Sequence, residues 1–222
     1  MNRCLLLTLI CVFLYSSLGC EYGEVELEFG GKKYIIPKRY VKSVNTDFSN
    51  YSAEGIDMEG SIISLHFGSE EVVRYIKSYK PFTSKEGDFK SVFQVLVYKK
   101  ENVRRFSSDY YAMLVMLEGE FKGARVQKDI NSGYYLLTPN ERNPSRRVYF
   151  KSDPESVDSI HDKISLIVAE CQDILPRYNL SDCIMTHRSN GLFFQIEVSE
   201  INIALSNQLK QFVELKMEEW KR

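Results

Sequence analysis

Residues 183–198 read CIMTHRSNGLFFQIEV, and the Asn190-Gly191 pair at their centre decides the fold. Asn-Gly between two apolar runs is the strongest short-range hairpin signal, because both residues tolerate the positive φ that a two-residue turn needs. Cys183–Ser189 therefore reads as a strand that returns as Leu192–Val198. Upstream, Ile164–Cys171 (ISLIVAEC) reads as the preceding strand. Helix over 155–172 is its rival, since Ile160, Ile164, Ile167 and Cys171 also fit helical spacing. Beyond Glu200 the period changes: Ile201, Leu205, Leu209, Phe212, Val213 and Trp220 fall on one helical face, predicting a closing amphipathic helix.

Working back towards the N-terminus, most of the chain shows strand periods. Glu24–Phe29 (EVELEF) alternates charged and apolar residues, and Gly30-Gly31 turns it into Lys32–Ile36 as a hairpin that Pro37 ends. Tyr40-Val41 adds a short extended piece. Ser61–Phe67, Val92–Tyr98, Tyr110–Phe121 and Arg147–Phe150 read as strands, and Lys128–Leu137 as a hairpin turning at Asn131-Ser132-Gly133. Ser69-Glu70-Glu71 followed by Val72, Val73, Ile76 and Tyr79 predicts a capped helix of about two turns, stopped by Pro81. The class is α+β: mainly antiparallel sheet, a short helix near 70–79 and a C-terminal amphipathic helix. Residues 20–222 read as a single α+β domain, with two closely packed lobes as the alternative.

The first twenty residues, MNRCLLLTLICVFLYSSLGC, follow another logic. A positive start at Arg3, an apolar run from Leu5 to Tyr15 and small residues before Cys20 form the layout of a secretory signal peptide over 1–19. The apolar run is about 11 residues, short of the roughly 20 that cross a bilayer. Ser17-Leu18-Gly19-Cys20 resembles the bacterial lipobox, with Ser17 where leucine is usual; the resemblance implies that Cys20 carries lipid. Glu21 after it implies, by the same analogy, an outer-membrane address. The expected location is the periplasm, anchored through lipidated Cys20.

The five cysteines then sort themselves. Cys4 and Cys11 leave with the signal, Cys20 takes the lipid, and Cys171 and Cys183 remain as a pair. An even remainder in an exported chain is what a disulfide leaves. Two buried thiols or half of a metal site are the alternatives, although no CxxC spacing or histidine cluster accompanies them.

Formal charge is −1, or −2 without Arg3, so there is no basic field for nucleic acid and no polybasic membrane patch. The 14 tyrosines and 13 phenylalanines suit β-rich packing and protein-binding surfaces. The sequence contains no GxSxG, SxxK, HExxH or GxxxxGK[ST]. His66, His161 and His187 lack metal-type spacing, and no carboxylate pair can be singled out as acid and base. Neither a catalytic residue, nor a metal, nor a cofactor is expected. Two sequons, at Asn50 and Asn179, would be silent in a bacterium, and the pairs Arg104-Arg105 and Arg146-Arg147 read as solvated faces. The polar loop 43–60 is the candidate binding element: Tyr51 offers rigid contact area, and Glu54, Asp57 and Glu59 suit a basic groove. A solvated connector is its other reading.

The order of a lipoprotein-like signal, Tyr34-Ile35-Ile36-Pro37 followed by Tyr40, a Cys-to-Cys hairpin and a terminal helix bearing Trp220 resembles small Gram-negative envelope lipoproteins. These act as immunity partners of type VI secretion effectors. The resemblance implies a non-catalytic protein whose partner is a secreted toxin or effector enzyme acting on the envelope, which it binds and blocks. An envelope assembly or scaffold lipoprotein is one alternative; a hydrolase or glycan-binding module with a spatially assembled site is another.

Overall fold

The computed structural model describes residues 23–29, 32–45, 62–81, 92–99, 124–138, 146–175 and 180–222. Its strands are β1 (Glu24–Phe29), β2 (Lys32–Pro37), β3 (Val41–Asn45), β4 (Ile62–Gly68), β5 (Val92–Lys99), β6 (Arg125–Lys128), β7 (Tyr135–Thr138), β8 (Arg146–Phe150), β9 (Ile167–Leu175), β10 (Leu180–Ser189) and β11 (Leu192–Ser199). Its α-helices are α1 (Ser69–Tyr75), α2 (Ile160–Ser165) and α3 (Ser206–Trp220). The class is α+β, dominated by antiparallel sheet.

Among the described residues β1 and β2 pair with each other as one small sheet, and the other nine strands form a second sheet in the order β3-β4-β5-β11-β10-β9-β8-β7-β6. Two antiparallel meanders, β3–β5 and β6–β11, join where β11 pairs with β5 from Leu192↔Lys99 to Glu197↔Gln94. The Asn190-Gly191 turn fixes the register of β10 on β11, both residues taking positive φ (53° and 82°). Gly133, at φ 76°, serves the β6–β7 turn in the same way.

Because side chains alternate along a strand, one register puts a whole set on one face. Ile63, Leu65 and Phe67 of β4, Phe93, Val95 and Val97 of β5, and Phe194, Ile196 and Val198 of β11 all join one buried cluster. Tyr34 and Ile36 of β2 belong to it as well. α3 seals this face through Leu209, Phe212, Val213, Met217 and Trp220, which recur at helical spacing. Ser206 near its start meets the Tyr134 hydroxyl at 2.7 Å, and Trp220 at its end stacks on Phe67 at 5.9 Å. The helix therefore lies across the strands as a strap, and the backbone beyond it bridges to β2, Arg222 N–H donating to the Lys33 carbonyl.

Three sequence expectations change here. Ile201 leaves the apolar stripe, at 60% exposure, because Glu200–Leu205 winds as a 3-10 helix with a tighter period and buries Asn202 and Ile203 instead. The run from Ile164 splits, with 160–165 helical as α2 and the strand starting only at Ile167. α1 begins on Ser69 itself, with Gly68 at the cap position and no side-chain cap. The expected strand over Tyr110–Phe121 lies outside the described residues.

Asn202 shows why the 3-10 turn holds. Its side chain is fully buried, accepts from the Lys80 N–H at 2.9 Å and donates to the Lys80 carbonyl at 2.8 Å. Asn202→Ala would strand both backbone groups, and we expect a loss of about 1–3 kcal/mol in chemical denaturation. Asn202→Asp, which keeps the acceptor but sets an anion against the carbonyl, should be no better; a wild-type midpoint for either variant would rule out the brace.

Candidate interaction face

The second face of the sheet carries the chemistry. β10 is the fifth of nine strands, yet Asp182, Ile184, Thr186 and Arg188, all on the side away from α3, are exposed. Ile184 stands 42% open in the middle of this row. The neighbouring row on β11 follows from the register: Glu197 opposite Ile184, Gln195 opposite Thr186, and Phe193 opposite Arg188. Arg188 lies over the Phe193 ring at 5.6 Å.

A polar relay crosses three strands of this face. His66 of β4 meets Gln94 Oε1 of β5 at 3.0 Å, and Gln94 Nε2 donates to Glu197 Oε1 of β11 at 3.5 Å. Beside it, the Tyr98 hydroxyl donates to Gln195 Oε1 at 3.2 Å. Ile62, Tyr98 and Phe193 form a small buried apolar cluster, with Leu96 packed on it. The face is thus apolar towards the Asn190-Gly191 turn and acidic towards the start of β10.

Burial holds the Glu197 carboxyl above its ordinary value of 4.5, and the charge of Asp182 adds to the rise. Asp182 is raised too: the residue is exposed, but the surrounding protein displaces enough water from its carboxyl to disfavour charge. His66 goes the other way, burial holding its imidazole below 6.5 despite the Gln94 hydrogen bond. A raised carboxyl binds more protons folded than unfolded, so its ionisation costs stability as pH rises from about 4.5 through its folded value. Glu197→Gln, which keeps an acceptor for Gln94, should therefore be more stable than wild type at neutral pH. That advantage should fade as pH is lowered towards 4.5, in paired urea titrations. An advantage independent of pH would show that the charge is not what costs stability.

A second polar cluster is a brace. Arg147 forks onto both Glu200 oxygens at 2.7 and 2.8 Å and reaches Asp173 Oδ1 at 2.5 Å, while the Tyr149 hydroxyl donates to Glu200 at 2.7 Å. Burial opposes the guanidinium charge, but the hydrogen bonds it donates to Asp173 and Glu200 outweigh that and hold the proton more tightly than usual. The cluster ties β8 and β9 to the 3-10 turn that leads into α3.

Of the residues singled out in the sequence, Cys171 and Cys183 are brought together: they sit directly opposite on β9 and β10 and are joined as a disulfide. Cys20, Tyr51, Glu54, Asp57 and Glu59 lie outside the described residues, as do both sequon asparagines. The chain enters and leaves 46–61 at Asn45 and Ile62, which pair on adjacent strands. His187 meets Glu214 of α3 at 2.8 Å on the core side, away from His66. Among the described residues no group of three or more His, Cys, Asp or Glu could hold a metal ion, and no helix is long and apolar enough to cross a membrane.

The open β10 row is absent from the sequence-derived candidates. Its signal is the alternation in 182–188, where Asp182, Ile184, Thr186 and Arg188 interleave with Cys183, Met185 and His187. Periodicity marks two faces without saying that the strand sits mid-sheet.

No protein-family model matches the chain. No curated protein matches it either. Among solved structures, it is similar to an immunity protein of the Stenotrophomonas maltophilia type IV secretion system. That likeness spans 90% of this chain and 93% of the other, with 11% identity and a TM-score of 0.34, a level too low for a functional argument.

Proposed function

We propose that this chain is an exported, lipid-anchored binding protein that neutralises an envelope-targeting effector enzyme by occupying it. The observation that carries the reading is the open central row on β10. One face of the sheet is sealed by α3, while the other presents a pre-formed apolar and acidic surface on rigid strands. Interfaces of this kind need little ordering on association, which favours affinity. The signal-like N-terminus and the lipobox-like Cys20 supply the compartment, the periplasm, with the outer membrane as anchor. Type VI delivery of the effector belongs to this proposal too, through the resemblance of the sequence.

The test is protection. An effector enzyme encoded beside this gene, directed to the periplasm, should arrest growth, and co-expression of the full chain should restore it. The chain lacking residues 1–19 should fail to protect, and Cys20→Ser should move the protein from the membrane to the soluble periplasmic fraction. A folded, exported chain that neither binds the effector nor restores growth would end this reading.

A further inference from the structure

Two carboxylates on the open face have no cation paired with them among the described residues. Asp182 lies opposite Ser199 and Glu197 opposite Ile184, so the two are diagonal neighbours on adjacent strands, about 7–8 Å apart at Cα. No ion pair joins either to a cation among the described residues. Arg146, on the same face, is engaged by Glu170 at 2.7 Å. Arg188 is six residues along β10 from Asp182 and four from the position opposite Glu197, about 20 and about 13 Å at the rise of a strand, and sits over Phe193. Glu197 is also held in place, since Gln94, itself met by His66, donates to it. Ile184, 42% exposed, stands directly beside it.

We propose that Asp182 and Glu197 form the seat for an arginine side chain presented by the protein partner, with Ile184 as the apolar contact beside it. This rests on the binding role proposed above and names the chemistry of the same face. Arginine fits better than lysine. Its guanidinium is more weakly hydrated, so it gives up less on entering a seat that is already partly desolvated, and its five donors serve two carboxylates at once. Its methylene stem would cover Ile184. A divalent cation is the poorer occupant, because two separated carboxylates leave most of its coordination to water. Partial desolvation keeps both carboxyls raised, and an incoming guanidinium would relieve the strain by pairing with them. At the other end, Arg188 gives the face a polarity that sets the direction of docking.

Two experiments on the chain beginning at residue 21 decide the matter. Acetyl-Leu-Arg-Leu-amide, titrated against the isotopically labelled protein, should shift the amide signals of Asp182–Thr186 and Glu197 saturably. The glutamate counterpart peptide should not, and Asp182→Asn with Glu197→Gln should weaken the arginine response at least tenfold. Equal shifts with both peptides, or none with either, overturn the seat. With the effector as probe, the double reversal Asp182→Lys, Glu197→Lys should cost at least a hundredfold in affinity while the neutral pair costs less. Binding by a folded reversal variant within threefold of wild type overturns the seat and leaves the neutralising role standing. If wild type itself fails to bind the effector, the neutralising role falls, and the peptide titration still decides the seat.

Discussion

Phe67→Ala should lose about 3–5 kcal/mol of unfolding free energy, among the largest effects of a single substitution outside the cysteines. Phe67 is fully buried, and four rings converge on it: Tyr40 at 5.4 Å, Phe93 at 6.0 Å, Phe212 at 5.1 Å and Trp220 stacked at 5.9 Å. These rings come from the segment before β3, from β5 and from both halves of α3, so the side chain is where strap and sheet are fastened. Truncation removes the transfer energy of the ring and leaves a cavity that four rigid neighbours cannot easily close. In a domain of this size the midpoint of thermal unfolding should fall by on the order of 10 °C. Phe67→Leu, which keeps most of the volume, should recover more than half of the loss. An alanine variant within about 1 kcal/mol of wild type would mean that α3 is not held to the sheet through this stack.

The same residues show how far the sequence could be read. Asn190-Gly191 and Asn131-Ser132-Gly133 act locally, through φ values that few residues accept, so both hairpins were legible. The apolar face of α3 was legible from Leu209 onwards because helical spacing repeats there without interruption. Ile201 was misplaced because a 3-10 turn and an α-helix cannot be told apart over six residues, and Asn202 decides between them through Lys80, 122 positions away. Ser69 carries a cap signature, but the bulk of β4 runs on to Gly68 and the cap position passes to a residue with no side chain. The face of β10 is a product of sheet order. β10 is flanked by its chain neighbours β9 and β11, but β11 has to pair with β5, nearly a hundred residues earlier, before Gln94 and His66 are brought up against Glu197. No local pattern encodes that pairing, so the candidate loop at 43–60 stood out in the sequence while Asp182, Ile184 and Glu197 did not.

Replacing Cys171 and Cys183 together by alanine should cost about 3 kcal/mol, the loop-closure entropy of a chain segment closed over 12 residues. The effect acts mainly on the unfolded chain, so the folded variant should keep its far-ultraviolet spectrum while its denaturant midpoint drops. Both cysteines are fully buried, pointing into the core from the paired strands β9 and β10, so serine in their place should do worse than alanine by leaving hydroxyls without water. The bond also bears on the open face. Cys183 follows Asp182 and precedes Ile184, pointing the opposite way, and just upstream the β9–β10 register shifts between Leu180 and Ser181. The staple therefore holds β10 in register next to this irregularity, and a one-residue slip would turn the exposed row into the core. Protein made in a reducing compartment should be less stable by the same margin and recover on oxidation. If oxidised and reduced protein unfold within about 0.5 kcal/mol of each other, the strands are held by packing alone, and the irregular register beside Leu180 needs no staple.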